Sequence, residues 1–357
     1  KRWEKAKPPL VDLVDMGVER EETRDYASPF SRKLTSAIRE TLDNDKQVIL
    51  FQNRRGYAPV ITCKDCNWTM TCPHDDISLT YHKIGNKMRC HFCDFEAPTP
   101  ASCPECRSLD LKFGGMGTQM VEEALEAQFP DVPVCRMDMD TTRGKGAHTK
   151  LLGDFARGDY KILLGTQMIA KGLDFENVTL VGVINADSGL HFPDFRSREK
   201  TFQLVYQVSG RSGRGEFPGR VVVQSWMPED ISIQCATKSD VKLFYNGELN
   251  DRDQLQYPPF SRMISFGFQG RSRDAVIRLA ERASEAFKKQ KVVQLLGPAP
   301  AMIEKSHMGF HWKLVLKTSK AEDPSGGVLR QAAGHVLQST QDKYVRVTVD
   351  VDPYQIL

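Results

Sequence analysis

The sequence predicts an α/β protein: a parallel sheet covered by helices, interrupted by a cysteine-rich insertion and followed by a small α+β domain. Three observations carry that prediction. Between residues 113 and 238, short apolar runs alternate with helical patterns, the order that crossover-connected parallel strands require. Seven of the nine cysteines fall between Cys63 and Cys106, mostly in C-x-x-C pairs, the spacing of thiolate metal ligands. After Tyr257, Pro258 and Pro259 the patterns change to strand, helix, strand, strand, helix, strand, the order of a split β-α-β sandwich.

Residues 1–27 are charged, carry Pro8 and Pro9, and hold no sustained period, so they read as a lead-in or linker. Ser28 can cap a helix with Pro29 at its first position, and Phe30, Leu34, Ile38 and Leu42 recur every four residues. Gln47 to Gln52 reads as a short buried strand. The sheet domain takes residues 28–60 and resumes over 113–238, with the insertion at 61–112. Within the resumed part the patterns give a helix from Thr118 to Gln128, a strand from Val132 to Met137, a helix from Thr149 to Arg157 and a strand from Lys161 to Gly165. A strand from Val178 to Ile184, a helix from Thr201 to Ser209 and a strand from Arg220 to Ser225 complete it. Residues 239–357 form the last domain, with strands at 263–268, 293–296, 312–317 and 346–351 and helices at 273–289 and 327–339.

Composition excludes several classes. The 357 residues carry a formal charge of +3 and are about 47% apolar once glycine is added, which describes globular domains rather than a fibre or a disordered tail. That length suits two or three domains, each large enough to bury a core. The longest apolar runs, Ile162 to Leu164 and Val178 to Ile184, fall far short of the ~18 residues of a membrane span. The chain opens on Lys1 with no signal-peptide pattern behind it, so the expectation is a fragment of a longer protein rather than a secreted precursor. Clustered cysteines then point to zinc in a reducing cytoplasm rather than to disulfides.

Cys63-x-x-Cys66 and Cys103-x-x-Cys106 bracket the insertion, with Cys90-x-x-Cys93 and Cys72-Pro73-His74-Asp75 inside it. Four ligand pairs imply two tetrahedral zinc sites. Alternating Ile77, Leu79 and Tyr81 before Gly85-Asn86 reads as a strand entering a hairpin, which brings the inner pairs face to face. The nested solution places Cys72, Asp75, Cys90 and Cys93 on one ion and Cys63, Cys66, Cys103 and Cys106 on the other; interleaved pairing is the alternative. A carboxylate is a rarer ligand than a thiolate in closed sites, and His74 or His82 can substitute for Asp75. Trp68 alone is too little apolar mass to fold the first pairs without metal. Cys135 and Cys235, outside the spacing, read as core residues.

Two further segments carry chemistry: Gly165 to Phe175, and Gln207 to Gly215. Thr166 follows a strand, where ligands of open parallel sheets sit; it and nearby backbone amides can hold phosphate oxygens, and Asp174 can take a ribose hydroxyl. Gly172 lets the backbone approach closely. Arg211 and Arg214, three apart and flanked by glycines, suit a triphosphate, where guanidinium groups stabilise developing charge. A solvated Arg/Gly loop is the plain alternative. Arg54 and Arg55 read either as a solvated turn or as DNA-phosphate contacts. Phe260, Phe310 and Trp312 read as core or as stacking platforms for bases. The pattern G-x-x-x-x-G-K-[ST] is missing; the nearest stretch, Gly144 to Lys150, has the wrong spacing. This chain by itself is therefore expected to be inactive as an ATPase.

Thr166 to Asp174 matches T-x5-G-x-D and Gln207 to Arg214 matches Q-x-x-G-R-x-G-R, so the middle of the chain resembles the second, RecA-like motor lobe of superfamily 2 helicases. Phe51 to Pro59, the paired cysteines, Ala186 to His191, Pro193 to Arg196, Tyr257 to Phe260, Leu296 to Pro300 and Asp350 to Pro353 extend the likeness over the whole chain. It is similar to the C-terminal portion of the primosomal replication-restart helicases, the primosomal protein N′ family. That resemblance implies an ATP-dependent 3′ to 5′ DNA helicase in replication restart and primosome assembly, its Walker motifs on a first lobe that precedes this region. It implies that Arg211 and Arg214 contact ATP across a cleft, with Gln207 and Asp174 assisting and Gly172 beside the nucleotide, ATP being bound with Mg2+ in the full protein. It places Thr166 near the DNA backbone, beside which Gln167, Arg54 and Arg55 are the further candidates for DNA contact. Implied partners are forked or single-stranded DNA, primosome proteins and single-strand-binding protein, in the cytoplasm and not at a membrane. The family carries cysteine where Asp75 stands here. A non-catalytic zinc-dependent docking module for DNA or protein is the second reading.

Overall fold

The computed structural model describes residues 9–354 apart from 53–59, 64, 67, 76, 83–85, 91–92, 94, 115–117, 139–140, 143–145, 167–168, 170–174, 191, 193, 211–218, 286 and 288–291. In chain order the elements begin with β1 (Leu10–Asp15), α1 (Met16–Thr23), α2 (Arg32–Asp43) and β2 (Gln47–Phe51). The insertion follows, with β3 (Val60–Cys63), β4 (Thr80–His82), β5 (Lys87–Arg89), β6 (Glu96–Pro98) and β7 (Leu111–Gly114). Next come α3 (Thr118–Gln128), β8 (Val134–Met137), α4 (Ala147–Arg157), β9 (Ile162–Gly165), β10 (Val178–Val183), α5 (Ser197–Ser209), β11 (Arg220–Ser225), α6 (Ile231–Thr237) and α7 (Val241–Gln254). The chain ends with β12 (Ser261–Gly270), α8 (Arg273–Glu285), β13 (Gln294–Ser306), β14 (Gly309–Ser319), α9 (Gly327–Ser339) and β15 (Val345–Val351). Two units result, residues 1–58 with 115–246, and residues 59–114 with 247–357.

The first unit is a six-stranded sheet in the order β1-β11-β10-β2-β9-β8, every described pairing parallel. Alternate residues of each central strand feed two cores, as a sheet covered on both faces demands. Ile49, Phe51, Leu163, Val181, Val183, Val221 and Val223 pack on one face with Phe155 of α4, Phe202 and Val205 of α5 and Cys235 of α6. Val48, Leu50, Ile162, Leu164, Leu180 and Val222 pack on the other with Leu34 and Ile38 of α2 and Val121 and Leu125 of α3. Gly182 is required where α2 crosses β10: a Cβ there would lie 2.6 Å from Leu50 Cδ2 and 2.8 Å from Leu34 Cδ1.

Two sequence expectations are corrected here. Residues 1–27 are not a mere lead-in, because β1 is the sheet's edge strand, in register with β11 from Leu10 opposite Arg220 to Asp15 opposite Ser225. Asp15 then caps α1, its Oδ1 accepting the Gly17 amide at 2.8 Å. The cap of α2 is Ser31 rather than Ser28, with Ser31 Oγ accepting the Leu34 N–H at 3.1 Å. Ser28 Oγ serves a tighter local turn, accepting the Phe30 N–H at 3.1 Å.

The entry to α2 is tied to the sheet by Gln224 on β11. This fully buried side chain accepts the Ser31 N–H at 2.8 Å and donates to Pro29 O at 2.9 Å and Ile184 O at 3.1 Å. Leucine at this position would fill the volume and strand three backbone groups. Gln224→Leu is expected to lower stability by roughly 3 kcal/mol or more. An unfolding free energy within about 0.5 kcal/mol of wild type would contradict that role, since stranding three buried backbone groups should cost more than a typical surface change.

In the second unit, β12 to β15 form an antiparallel sheet in the order β13-β14-β12-β15, with α8 and α9 supplying the core on one face. Ile264, Phe266 and Phe268 of β12 pack against Val276 and Leu279 of α8 and Leu329 and Val336 of α9. The β-α-β-β-α-β order read from the sequence is the observed one. Phe310 and Trp312 pack against this core. Asp323 accepts the Leu329 amide at 3.0 Å and the Val328 amide at 3.3 Å at the start of α9. Burial raises its pKa, but those N–H groups outweigh burial and hold the carboxyl below its usual range.

The insertion has a two-stranded ladder, β3 with β7, and a three-stranded one, β4-β5-β6. Among its described residues the apolar core is small: Ile61, Leu79, Met88 and Cys90 are fully buried and Cys72 is buried, while Trp68, Met70, Ile77, Tyr81 and Phe95 pack around them. This is more than Trp68 alone, yet far less than either sheet face carries.

Candidate metal centres

Four short turns build the two clusters, and they share one closure. The first residue of each pair donates its N–H to the carbonyl five residues on: Cys63 to Trp68 at 2.7 Å, Cys72 to Ile77 at 2.9 Å, Cys90 to Phe95 at 2.8 Å and Cys103 to Ser108 at 2.8 Å. Such a turn aims the side chains of its first and fourth residues to one side. Asp75 occupies the fourth position in a turn built like the three that carry two cysteines.

Cys63, Cys66, Cys103 and Cys106 converge, with their ligand atoms within 4.8 Å of one another, and Cys72, Asp75, Cys90 and Cys93 do the same. In the outer cluster Cys63 Sγ is 3.5 Å from Cys106 Sγ, and Cys66 Sγ is 3.6 Å from Cys103 Sγ. In the inner one Cys72 Sγ is 3.6 Å from Cys93 Sγ, and Asp75 Oδ2 lies 3.4 Å from Cys72 Sγ and 3.1 Å from Cys90 Sγ. Tetrahedral zinc with bonds near 2.3 Å to sulfur and 2.0 Å to oxygen separates two sulfurs by about 3.8 Å and sulfur from oxygen by about 3.5 Å. The donor sets fit that ion. The arrangement among the described residues is the nested one, and the His74 ring stands beside the inner cluster, Nδ1 3.7 Å from Cys93 Sγ. The His82 side chain lies outside the described set.

The thiols of each set act on one another's protonation. The Cys66 N–H, assisted by other backbone and thiol donors, pulls the Cys63 thiol down to about 7. The Trp68 N–H lowers Cys66, but burial and the neighbouring thiols outweigh it and push Cys66 up to about 12. Burial, then Asp75, pushes Cys93 to about 12. Burial also raises Asp75, yet hydrogen bonds from Cys93, Cys90, the His307 backbone and Cys72 hold its carboxyl well below the ordinary range. Ionising one member of either set thus opposes ionisation of its neighbours, an opposition that a divalent ion removes. An ion held by all four residues of either set would have no open position for water, so its part would be structural.

Of the sequence-predicted nucleotide and DNA residues, Thr166 and Gln207 are described. Thr166 is buried directly after β9, at the sheet's carboxyl edge, and its carbonyl accepts the Ile169 N–H at 3.0 Å. Beside it, Gln52 donates its N–H to Gly165 O at 2.8 Å, so the chain leaves β2 and β9 together. Gln207 is exposed near the end of α5. Arg54, Arg55, Gln167, Gly172, Asp174, Arg211 and Arg214 lie outside the described residues.

Comparison with known proteins matches three family descriptions in order along the chain. Residues 72–98 match the PriA DNA helicase Cys-rich region, residues 115–216 the helicase conserved C-terminal domain, and residues 253–354 the primosomal protein N C-terminal domain. The replication restart protein PriA of Bacillus subtilis (strain 168) is 43% identical over 354 residues, covering 98% of this chain and 43% of that protein. The chain belongs to the PriA family. The PriA of Synechocystis is 43% identical over 87% of the chain and 38% of its own length, and that of Chlamydia pneumoniae is 37% identical over 98% and 46%. The chain therefore spans about half the length, or less, of these PriA relatives. The PriA Cys-rich match spans the whole inner cluster, the outer pairs flank it, and the helicase match includes Thr166 and Gln207. Sequence reading missed one residue of the inner cluster's surroundings, His307, whose backbone N–H reaches Asp75 Oδ1 at 2.6 Å from 232 residues away. No local spacing signals such a contact. Among the described residues no helix is long and apolar enough to cross a membrane.

Proposed function

We propose that this chain supplies the second motor lobe, the zinc region and the C-terminal domain of an ATP-dependent 3′ to 5′ DNA helicase acting in replication restart and primosome assembly. The observation that carries the reading is a six-stranded parallel sheet under a helicase C-terminal match, with Thr166 at its carboxyl edge. ATP with Mg2+ provides the phosphoryl group whose transfer drives movement. Arg211 and Arg214 neutralise charge developing on the phosphates, Gln207 orients them, and Gly172 and Asp174 line the nucleotide. Thr166, Gln167, Arg54 and Arg55 hold DNA through its backbone, so sequence preference is not expected. Each cysteine cluster holds one zinc ion. Single-strand-binding protein and primosome proteins are the protein partners, in the cytoplasm.

The test compares this chain with the full-length protein. ATP hydrolysis stimulated by single-stranded DNA is expected in the full-length protein and not in the isolated chain, which has no G-x-x-x-x-G-K-[ST] segment. A full-length protein that binds DNA but shows no DNA-stimulated turnover would replace the motor reading with that of a zinc-dependent docking module.

A further inference from the structure

Asp75 has two carboxylate oxygens, and they face different partners. Oδ2 lies inside the inner cluster, against the Cys90 and Cys72 sulfurs at 3.1 and 3.4 Å. Oδ1 accepts the backbone N–H of His307 at 2.6 Å and faces His307 Nδ1 at 3.4 Å. The residue is 1% exposed, so water does not stand in for either contact. His307 sits in the turn between β13 and β14, and that turn is shaped from its own side. Ser306 Oγ is 2.6 Å from His311 Nε2 and accepts the Met308 N–H at 3.2 Å. A second strut joins the same two segments, Lys305 Nζ to Pro73 O at 3.5 Å. A thiolate at position 75 could ligate a metal, but its single sulfur leaves nothing where Oδ1 stands.

We propose that Asp75 is a positioning ligand: one oxygen completes the inner metal centre while the other seats the β13–β14 turn, so that filling the centre and ordering the turn are one event. This rests on the zinc reading of the inner cluster. The metal fixes the 72–75 turn and hence where Oδ1 points. In return the His307 N–H orients the carboxylate for the ion, the part that hydrogen-bonded surroundings of a ligand play in metal sites. Coupling of this kind is reciprocal, so a looser turn weakens metal retention. The C-terminal sheet thereby senses the metal through one carboxylate.

The experiment measures zinc per chain and hydrogen exchange of the segment 305–310 in wild type, Asp75→Cys and Asp75→Asn, before and after chelation. Wild type is expected to hold two zinc ions and a protected His307 amide, with the protection lost on chelation. Asp75→Cys is expected to keep two zinc ions while the segment exchanges at least about ten-fold faster, as loss of a buried charge-assisted hydrogen bond implies. Asp75→Asn retains an oxygen able to accept the His307 N–H but not the ionised ligand; one zinc and the same fast exchange are expected. Unchanged protection in Asp75→Cys with two zinc ions, or in Asp75→Asn with one, would overturn the coupling and leave the zinc centres standing. A wild-type protein whose single zinc is on the outer cluster would overturn both.

Discussion

Replacing Arg211 or Arg214 with alanine in the full-length protein is expected to lower DNA-stimulated ATP hydrolysis by about 10³-fold or more. The size follows from where the charge sits. Phosphoryl transfer spreads negative charge over the equatorial and leaving oxygens, and a guanidinium placed against them stabilises the transition state more than the ground state. The loss should therefore appear chiefly in kcat, with KM for ATP moving less. Lysine should not rescue, because a point charge cannot reproduce two parallel N–H donors. DNA binding, measured with its salt dependence, should be nearly unchanged, which separates these arginines from the phosphate contacts assigned to Arg54 and Arg55. ATPase at the wild-type level in both variants would return Gln207 to Gly215 to its plain reading as a solvated loop.

Chelation should remove two zinc ions per chain and unfold the insertion while leaving the parallel sheet intact. Structural zinc contributes apparent binding free energies of about 10–16 kcal/mol in small zinc-folded units. Among the described residues of the insertion the fully buried large apolar side chains are Ile61, Leu79 and Met88, too few to offset the ordering of its turns. Cys103→Ser is expected to leave one zinc and to loosen the β3–β7 ladder, because Cys103 is buried and its partner Cys66 is 3.6 Å away. Elemental analysis together with hydrogen exchange of residues 60–63 and 111–114 reads both effects. One zinc per wild-type chain would show that Asp75 does not complete the inner centre, and none would discard both centres.

The parallel sheet was legible because its strands, buried on both faces, are written as near-continuous apolar runs such as Val48 to Phe51. β1 was not, since an edge strand needs only one covered side: Asp12 within it pairs with Lys33 and Arg220, so charges interrupt the run. α6 and α7 escaped notice for a related reason. In α7, Phe244 is buried while Leu243, Tyr245 and Leu249 are exposed, which erases the stripe that marks a surface helix. The strands β13 and β14 run longer than their apolar cores because their outer halves continue to a turn rather than into the helices. Spacing alone disclosed the clustered ligand types, for a C-x-x-C turn is closed locally by the N–H five residues before its acceptor. The seat of Asp75 against His307 depends on the completed fold, and no pattern within either segment encodes it.

The antiparallel pairing of β3 with β7 sets Val60 opposite Gly114 and Cys63 opposite Leu111. The first and last strands of the cysteine-rich module are thus held side by side by their own ladder. Segments strung between these two clasped strands can grow or shrink without parting them, because closing a longer loop costs little extra once its ends are held.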